Sequence, residues 1–174
     1  MEEIIESKEI FNGKIIRVRL DKVRLPDGKE SQREIVQLGG AVAMVPVDEK
    51  GNIYFVRQYR KPIEKVLLEI PAGRLEPPEI PEDCARRELA EEIGLWPDKI
   101  NKLSDFFSSP GFSNENITIF LARNLRKSKM RPDEGEFIDV VLYPFSKALA
   151  MISSGEIQDG KTIAGLLLAH YFLQ

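Results

Sequence analysis

The sequence predicts an α+β fold with an additional antiparallel β-sheet at its amino terminus. Strand-like alternation dominates the first part of the chain, one isolated helical segment lies in the middle, and two helical segments come last. Strands followed by helices are typical of α+β domains. A chain of 174 residues is about one domain's worth. We therefore expect a β-sheet arm over residues 1–40 and a main domain over residues 41–174.

The arm is predicted from a hairpin pattern. KIIRVRLDKVRL (14–25) alternates apolar and charged residues, PDGKE (26–30) supplies a turn, and REIVQL (33–38) resumes the alternation. Alternation on both sides of a turn sequence predicts two antiparallel strands.

The next strands belong to the main domain. GGAVAMVPVDEKGNIYFVRQYR (39–60) gives two strands around the turn DEKGN, and the first is so apolar that we expect burial on both faces. KVLLEIPAG (65–73) is a further short strand, which Pro71 and Gly73 end.

The central helix has clear start and stop signals. Glu82 and Asp83 enrich its first turn, where carboxylates favour the positive end of the helix dipole. It runs to about Ile93, and Gly94 supplies its carboxyl-terminal stop.

The remaining segments complete the pattern. INKLSDFFSS (100–109) and NITIFLARNL (116–125) are predicted strands on either side of the loop SPGFSNE. FIDVVLYPF (137–145) is a last strand, and residues 146–174 form two helices interrupted between Gly155 and Gly160.

Composition excludes several functions. A net charge of -3 argues against general nucleic-acid binding, because proteins that follow phosphate backbones are usually basic. No apolar run approaches the roughly 18 residues that span a bilayer, and the acidic segment MEEIIESKEI is not a secretory signal. We expect no membrane partner and a cytoplasmic location, which the single cysteine, Cys84, also fits.

Most catalytic constellations also lack their parts. The only histidine is His170, so Ser-His-Asp, Cys-His and histidine-rich metal chemistries are excluded. The phosphate-binding loops G-x-x-x-x-G-K-[ST] and G-x-G-x-x-G do not occur. Any phosphate chemistry must therefore rely on a metal ion held by carboxylates.

The central helix offers such carboxylates. Glu88, Glu91 and Glu92 lie three and four residues apart and so share one helical face, where like charges repel. Oxygen ligands alone suit a hard divalent cation such as Mg²⁺ or Mn²⁺. An acidic helix face is more often merely solvated, so the surrounding sequence has to decide.

The surrounding sequence resembles the Nudix box, G-x5-E-x7-R-E-U-x-E-E-x-G-U, where U is a bulky aliphatic residue. All nine specified positions match within 23 residues, in the order Gly73, Glu79, Arg87, Glu88, Leu89, Glu91, Glu92, Gly94 and Leu95. This resemblance to the Nudix hydrolase superfamily implies an α/β/α sandwich with a mixed sheet. It also implies hydrolysis of a nucleoside diphosphate linked to another group.

The resemblance assigns roles to the box residues. Glu88 and Glu92 are the principal metal ligands, Glu91 holds a second ion or a bridging water, and the Ala72 carbonyl joins the metal shell. Glu91 and Glu92 therefore count as catalytic as well, and the cofactor is Mg²⁺ or Mn²⁺. We expect Arg87 to pair with Glu79, and Gly73 to make a tight turn after its strand.

Three further segments resemble the ADP-ribose pyrophosphatase subgroup. In SSPGFSNE, Pro110 stands sixteen residues after Gly94, which implies that Pro110 and Gly111 lie near the substrate. VRQYRKP implies that Arg60 binds the substrate phosphates. PDEGEFIDV implies a catalytic glutamate at Glu136, with Glu134 as second choice. The implied reaction is hydrolysis of ADP-ribose to AMP and ribose 5-phosphate.

The subgroup also implies a homodimer. Its amino-terminal sheet swaps or packs across a two-fold axis, and a partner subunit helps to hold the adenine; Arg33 and Glu34 are our candidates for contacts there. No tryptophan lies in this part of the chain, since the only one is Trp96, so the base must stack on another residue.

Two alternative functions remain open. One is a Nudix hydrolase that prefers another substrate: a nucleotide sugar, NADH, a dinucleoside polyphosphate or an oxidised nucleoside triphosphate. The other is a module that binds ADP-ribose without cleaving it. The second alternative is disfavoured because all four box glutamates are present.

Overall fold

The computed structural model describes residues 1–128 and 139–174. They form two compact units. The first contains Met1–Gly40 and Phe107–Asn116, and the second contains Ala41–Phe106 and Ile117–Gln174. The predicted arm ended at residue 40; the first unit also includes the later segment Phe107–Asn116, which the sequence analysis had placed in the main domain.

The first unit is built on a three-stranded antiparallel sheet. Its strands are β1 (Glu3–Asn12), β2 (Arg17–Arg24) and β3 (Glu30–Gln37), in the order β1-β2-β3. The β2–β3 hairpin confirms the predicted pairing, and Gly28 in its turn has a φ of 85°, a conformation that favours glycine. β1 was not predicted, and all ten of its residues are exposed.

The described residues of the second unit form two sheets, three α-helices and one short 3-10 helix, Lys61–Ile63. Its elements are β4 (Ala41–Pro46), β5 (Asn52–Arg60), β6 (Lys65–Glu69), β7 (Ala72–Arg74), α1 (Pro81–Ile93), β8 (Leu95–Phe107), β9 (Asn116–Lys127), β10 (Asp139–Pro144), α2 (Phe145–Ser153) and α3 (Gly160–Leu173). The ends of β8 and β9 extend into the first unit. One sheet is antiparallel, in the order β10-β5-β6. The other has the order β7-β4-β9-β8 and is mixed, because β4 runs antiparallel to β7 and parallel to β9.

The strand β4 is apolar because both of its faces are covered. Val42 and Met44 pack in one cluster with Leu89 of α1, whereas Ala43 and Val45 pack in the other with residues of α2 and α3. Neighbouring residues of a strand point to opposite faces, so β4 contributes to both clusters. This arrangement confirms the prediction that the strand is buried on both faces, and it confirms the α/β/α sandwich with a mixed sheet.

The helix α1 begins and ends close to the predicted positions. Pro81 is its first residue, where the missing N–H costs nothing, and Glu82 and Asp83 occupy the first turn. Gly94 follows its last residue with a left-handed conformation and donates its N–H to the Leu89 carbonyl. These local signals fix where the carboxylates of the helix lie.

The sequence predicted one strand over residues 65–73, but the structure has two strands there. Pro71 separates β6, which pairs with β5, from β7, which pairs with β4 in the other sheet. Gly73 lies inside β7 opposite Val42, so it does not end the strand.

Among the described helices none has the length and apolar character that a membrane-spanning helix needs.

Candidate functional site

Three glutamates converge on Arg87 of helix α1. The Arg87 Nη1 atom donates to Glu88 Oε1 and to Glu91 Oε2, each over 2.8 Å. On its other side, Nε and Nη2 donate to the two carboxylate oxygens of Glu79 over 2.9 and 3.0 Å. All four side chains are less than a quarter exposed. The cluster therefore holds three carboxylates around a single cation.

The bond between Arg87 and Glu79 confirms a sequence prediction. The box spacing places Glu79 in the loop before α1, and the bidentate pair ties that loop to the helix. The hydrogen bond from Arg87 lowers the pKa of the Glu79 carboxyl, and the same bond raises the pKa of Arg87 above its ordinary value. Both groups are thus held in their charged forms.

Gly73 is required for a reason that differs from the prediction. We expected a tight turn, but Gly73 lies in a strand and does not have a positive φ. A Cβ atom built on Gly73 would lie 1.8 Å from the Glu88 carboxyl carbon, so the carboxylate of Glu88 occupies that space. The absence of a side chain at Gly73 is what lets Glu88 lie against β7.

Glu92 is oriented by the backbone of the same strand. The Ala72 N–H donates to Glu92 Oε2 over 3.0 Å. Ala72 and Gly73 are neighbours, so β7 provides a surface against which Glu88 and Glu92 both lie. The structure thus places three predicted metal ligands, Ala72, Glu88 and Glu92, at β7, and Arg87 links Glu88 to the fourth, Glu91.

These residues fit a hard divalent cation by their chemistry. They offer only oxygen atoms, and Arg87 balances one of the three carboxylates that contact it. Within residues 1–128 and 139–174 no set of three acidic, histidine or cysteine side chains is arranged around a common metal position. Two of the candidate ligands, Glu88 and Glu91, are instead directed toward Arg87.

Arg60, the predicted phosphate ligand, is held by a residue that the sequence analysis missed. Its Nε and Nη2 atoms donate to the two oxygens of Glu69 over 2.7 and 2.6 Å. Glu69 is 1% exposed, whereas the Arg60 side chain is 39% exposed. This pair involves one edge of the guanidinium and leaves the Nη1 atom outside it.

A second cation contacts the same buried carboxylate. Lys161, in the first turn of α3, forms an ion pair with Glu69 and a longer one of 3.1 Å with Asp159. Asp159 caps α3 by accepting hydrogen bonds from the Thr162 N–H and hydroxyl. The Thr162 hydroxyl in turn accepts from the Ile70 N–H over 2.9 Å. In the sequence, the one signal for this network is Glu69, a charged residue within the apolar run VLLEIP.

The loop Ser108–Glu115 belongs to the first unit and is fixed to β3. Asn114 accepts from the Leu38 N–H with its side chain over 2.8 Å, and the Val36 N–H donates to the Phe112 carbonyl over 2.8 Å. Pro110 and Gly111 are exposed within this loop. Among the trailing Ser-Asn-Glu residues, Asn114 thus ties the loop to the end of β3 with its side chain.

The two candidates for adenine contacts have different surroundings. Arg33 forms an ion pair with Glu2 and donates to the Ser31 hydroxyl over 2.9 Å, while Glu34 is exposed on β3. The predicted catalytic glutamates, Glu136 and Glu134, lie outside the described residues.

Two family models match this chain. The model of the NUDIX domain matches residues 37–166, and the model of the nucleoside diphosphate sugar hydrolase N-terminal domain matches residues 2–36.

The chain is also similar to several other proteins. An ADP-ribose pyrophosphatase of Bacillus subtilis (strain 168) is 44% identical, covering 92% of this chain and 88% of that protein. A methanol dehydrogenase activator of Bacillus methanolicus is 41% identical, with 93% and 89% covered. An ADP-ribose pyrophosphatase of Mycobacterium tuberculosis (strain ATCC 25618 / H37Rv) is 39% identical, with 97% and 83% covered.

A solved structure shows the same fold. The crystal structure of an ADP compounds hydrolase superimposes with a TM-score of 0.91 at 20% sequence identity, covering 99% of this chain and 94% of that one. Together with the complete box around Arg87, the matching family model over residues 37–166 settles the family. This chain belongs to the Nudix hydrolase family, as its box predicted.

Proposed function

We propose that this chain hydrolyses the pyrophosphate bond of ADP-ribose to AMP and ribose 5-phosphate. The observation that carries the proposal is the cluster of Glu79, Glu88 and Glu91 around Arg87, with Glu92 oriented beside it by β7. The names of two relatives, both ADP-ribose pyrophosphatases, support the choice of substrate.

Nudix hydrolases generally need a divalent metal ion, and we propose Mg²⁺ or Mn²⁺ here. The ion would be held by oxygen ligands from α1 and β7, namely Glu88, Glu91, Glu92 and the carbonyl of Ala72. When bound, the ion neutralises charge on the pyrophosphate and makes its phosphorus a better electrophile.

The chain's own residues bind the substrate and move the proton. Arg60 donates to the substrate phosphates. This task suits a guanidinium that the Glu69 carboxylate holds in a fixed orientation. Glu136 accepts the proton of the attacking water, with Glu134 as the alternative. If Glu136→Gln retains normal turnover, the base is Glu134 or neither.

Four residues of the first unit remain predicted substrate contacts. They are Arg33, Glu34, Pro110 and Gly111. Substitution of each by alanine (Gly111 by valine) should raise the KM for ADP-ribose more than it lowers kcat, because the contacts are to parts of the substrate that do not react. Unchanged KM values would remove these residues from the site.

We also propose that the chain forms a homodimer through its amino-terminal sheet. β1 is an edge strand whose ten residues are exposed, among them the apolar side chains of Ile4, Ile10 and Phe11. Exposed apolar edge strands are surfaces that other chains cover. Light scattering at micromolar concentration should give the mass of two chains, and the mass of one chain would contradict the proposal.

A second candidate substrate is a nucleotide sugar. The family model that matches residues 2–36 is described as the amino-terminal domain of nucleoside diphosphate sugar hydrolases. ADP-ribose and ADP-glucose share the ADP group and differ in the terminal sugar, so both would bring the same pyrophosphate to α1.

The test is chromatographic product analysis with Mg²⁺ on ADP-ribose, ADP-glucose, NADH, diadenosine polyphosphates and 8-oxo-dGTP. We expect preference for ADP-ribose, loss of turnover in EDTA, and a fall in kcat of at least about 10³-fold in Glu92→Gln. Glu82→Gln is the matched control, since Glu82 lies on the same helix but pairs with Arg86. Preference for ADP-glucose would select the second candidate, and binding of ADP-ribose without turnover would indicate a sensor.

A further inference from the structure

The buried carboxylate Glu69 contacts two cations, and the proposed reaction uses only one of them. Arg60 reaches Glu69 from the end of β5, and Lys161 reaches it from the first turn of α3. The Lys161 side chain is 13% exposed, and its two carboxylate partners are Glu69 and Asp159. A lysine so deeply placed, far in sequence from the Nudix box, needs an explanation.

Glu69 fixes the direction of the Arg60 guanidinium. Arg60 and Val56 lie on the same face of β5, and Glu69 is opposite Val56 in the β5–β6 ladder, so the Arg60 side chain lies back along the sheet to meet it. A planar guanidinium bonded at Nε and Nη2 cannot rotate without breaking both bonds. The Nη1 atom of Arg60 therefore has a fixed direction.

The guanidinium lies within electrostatic range of one carboxylate on α1, that of Glu92. The pKa of Arg60 is raised mainly by its hydrogen bonds to Glu69, and the negative charges of Asp159 and Glu92 contribute as well. Glu92 itself is held at β7, where its carboxylate accepts from the Ala72 N–H. Both clusters belong to the second unit.

A single buried carboxylate paired only with Arg60 would cancel the charge that a phosphate needs. The Arg60–Glu69 pair is neutral by itself, and its attraction for an anion would be that of a dipole. Lys161 adds a positive charge at the same carboxylate. Asp159 is engaged elsewhere as well, because it caps the positive end of α3 through Thr162.

We propose that Lys161 is a positioning residue for the substrate phosphates, acting through Glu69 on Arg60. Glu69 holds the guanidinium in place, and Lys161 balances the Glu69 charge so that the charge of Arg60 remains available to the pyrophosphate. This inference rests on the proposed function, in which Arg60 binds the phosphates of ADP-ribose.

The test is a double-mutant cycle on substrate binding without turnover. The dissociation constant of ADP-ribose is measured by calorimetry in EDTA for the wild type, Lys161→Met, Arg60→Ala and the double variant. Lys161→Met should weaken binding about tenfold in the wild-type background and no more than about twofold in the Arg60→Ala background, since coupled residues of one network are not additive. Lys161→Arg should restore binding because it keeps the charge.

Lys61→Met is the matched control, because Lys61 is next to Arg60 in sequence but is exposed and pairs with Glu64. It removes the same charge and should leave binding unchanged. If Lys161→Met does not fold, Lys161→Gln replaces it in the cycle, since the amide still donates to Glu69. Thermal unfolding of each variant shows whether it is folded.

The outcomes separate this inference from the proposed function. Equal losses in both backgrounds, or no loss in the wild-type background, overturn the role of Lys161 and leave hydrolysis of ADP-ribose untouched. If the wild type hydrolyses ADP-ribose in Mg²⁺ and yet binds it in EDTA no more tightly than Arg60→Ala does, the role of Lys161 is also overturned. A wild type that neither binds nor hydrolyses ADP-ribose contradicts the proposed function itself.

Discussion

The substitution Gly73→Ala tests whether the position of the Glu88 carboxylate matters. The new methyl group would lie 1.8 Å from the Glu88 carboxyl carbon, whereas ordinary contact begins near 3.4 Å. The Glu88 carboxyl group must therefore move by about 1.6 Å, the difference between these distances. The nearest carboxylate oxygens, at 2.0 and 2.4 Å, must move with it.

Such a movement should impair turnover far more than folding. A displacement of about 1 Å at a reacting centre can cost about 10²-fold in rate, so we expect kcat to fall at least that much. The hydrogen bond between Arg87 and Glu88 is also lost, which should lower the free energy of unfolding by about 1–2 kcal/mol. The first quantity is measured by product formation at saturating ADP-ribose and Mg²⁺, and the second by denaturant unfolding.

Gly39→Ala is the matched control for this experiment. A Cβ atom at Gly39 meets nothing within 4 Å, and its φ does not lie in the left-handed region. It should therefore have nearly wild-type kcat and stability. If a folded Gly73→Ala enzyme keeps its kcat within about threefold of wild type, the location of Glu88 is unimportant to turnover, and its assignment as a principal metal ligand is wrong.

Two further predictions concern the titratable groups Cys84 and Glu69. Burial raises the pKa of the Cys84 thiol to about 12, so thiol reagents should modify it only after denaturation, and rapid labelling of the native protein would contradict this. Burial alone would raise the pKa of Glu69, but its bonds to Arg60 and Lys161 outweigh burial and lower it below 4.5. The stability that this adds is complete above the unfolded pKa and is lost as the pH falls through the folded one, so the gap in Tm between wild type and Glu69→Gln should be unchanged near neutral pH and shrink as the pH falls below 4.5. A constant gap would show that Glu69 ionisation does not stabilise the fold.

Local signals in the sequence predicted the element that carries the site. Pro81, the acidic first turn and Gly94 defined α1, because capping depends on residues within one turn of the helix ends. The apolar run of β4 predicted burial on both faces, since a covered sheet has no polar side. The Arg87–Glu79 pair was predicted from a motif whose spacing reflects a contact between loop and helix.

Features that depend on distant contacts were not predicted. β1 pairs with β2, but none of its residues is buried, so it lacks the apolar alternation that marks a half-buried strand. The reason for Gly73 lies in the side chain of Glu88, which reaches it from another element. Glu69 and Lys161 are 92 residues apart, and no local pattern relates two residues at that distance.

The two charged clusters of the second unit differ in charge balance, and this difference assigns them different partners. Around Arg87, three carboxylates face one cation, so the cluster attracts positive charge. Around Glu69, two cations face the carboxylates of Glu69 and Asp159, and Asp159 also caps the positive end of α3, so the Arg60 guanidinium remains available to an anion. A metal-bound pyrophosphate carries both signs, and a chain that binds it needs both kinds of cluster. The Nudix box contains only the cluster around Arg87. The cluster around Glu69 contains residues such as Lys161 that belong to no motif.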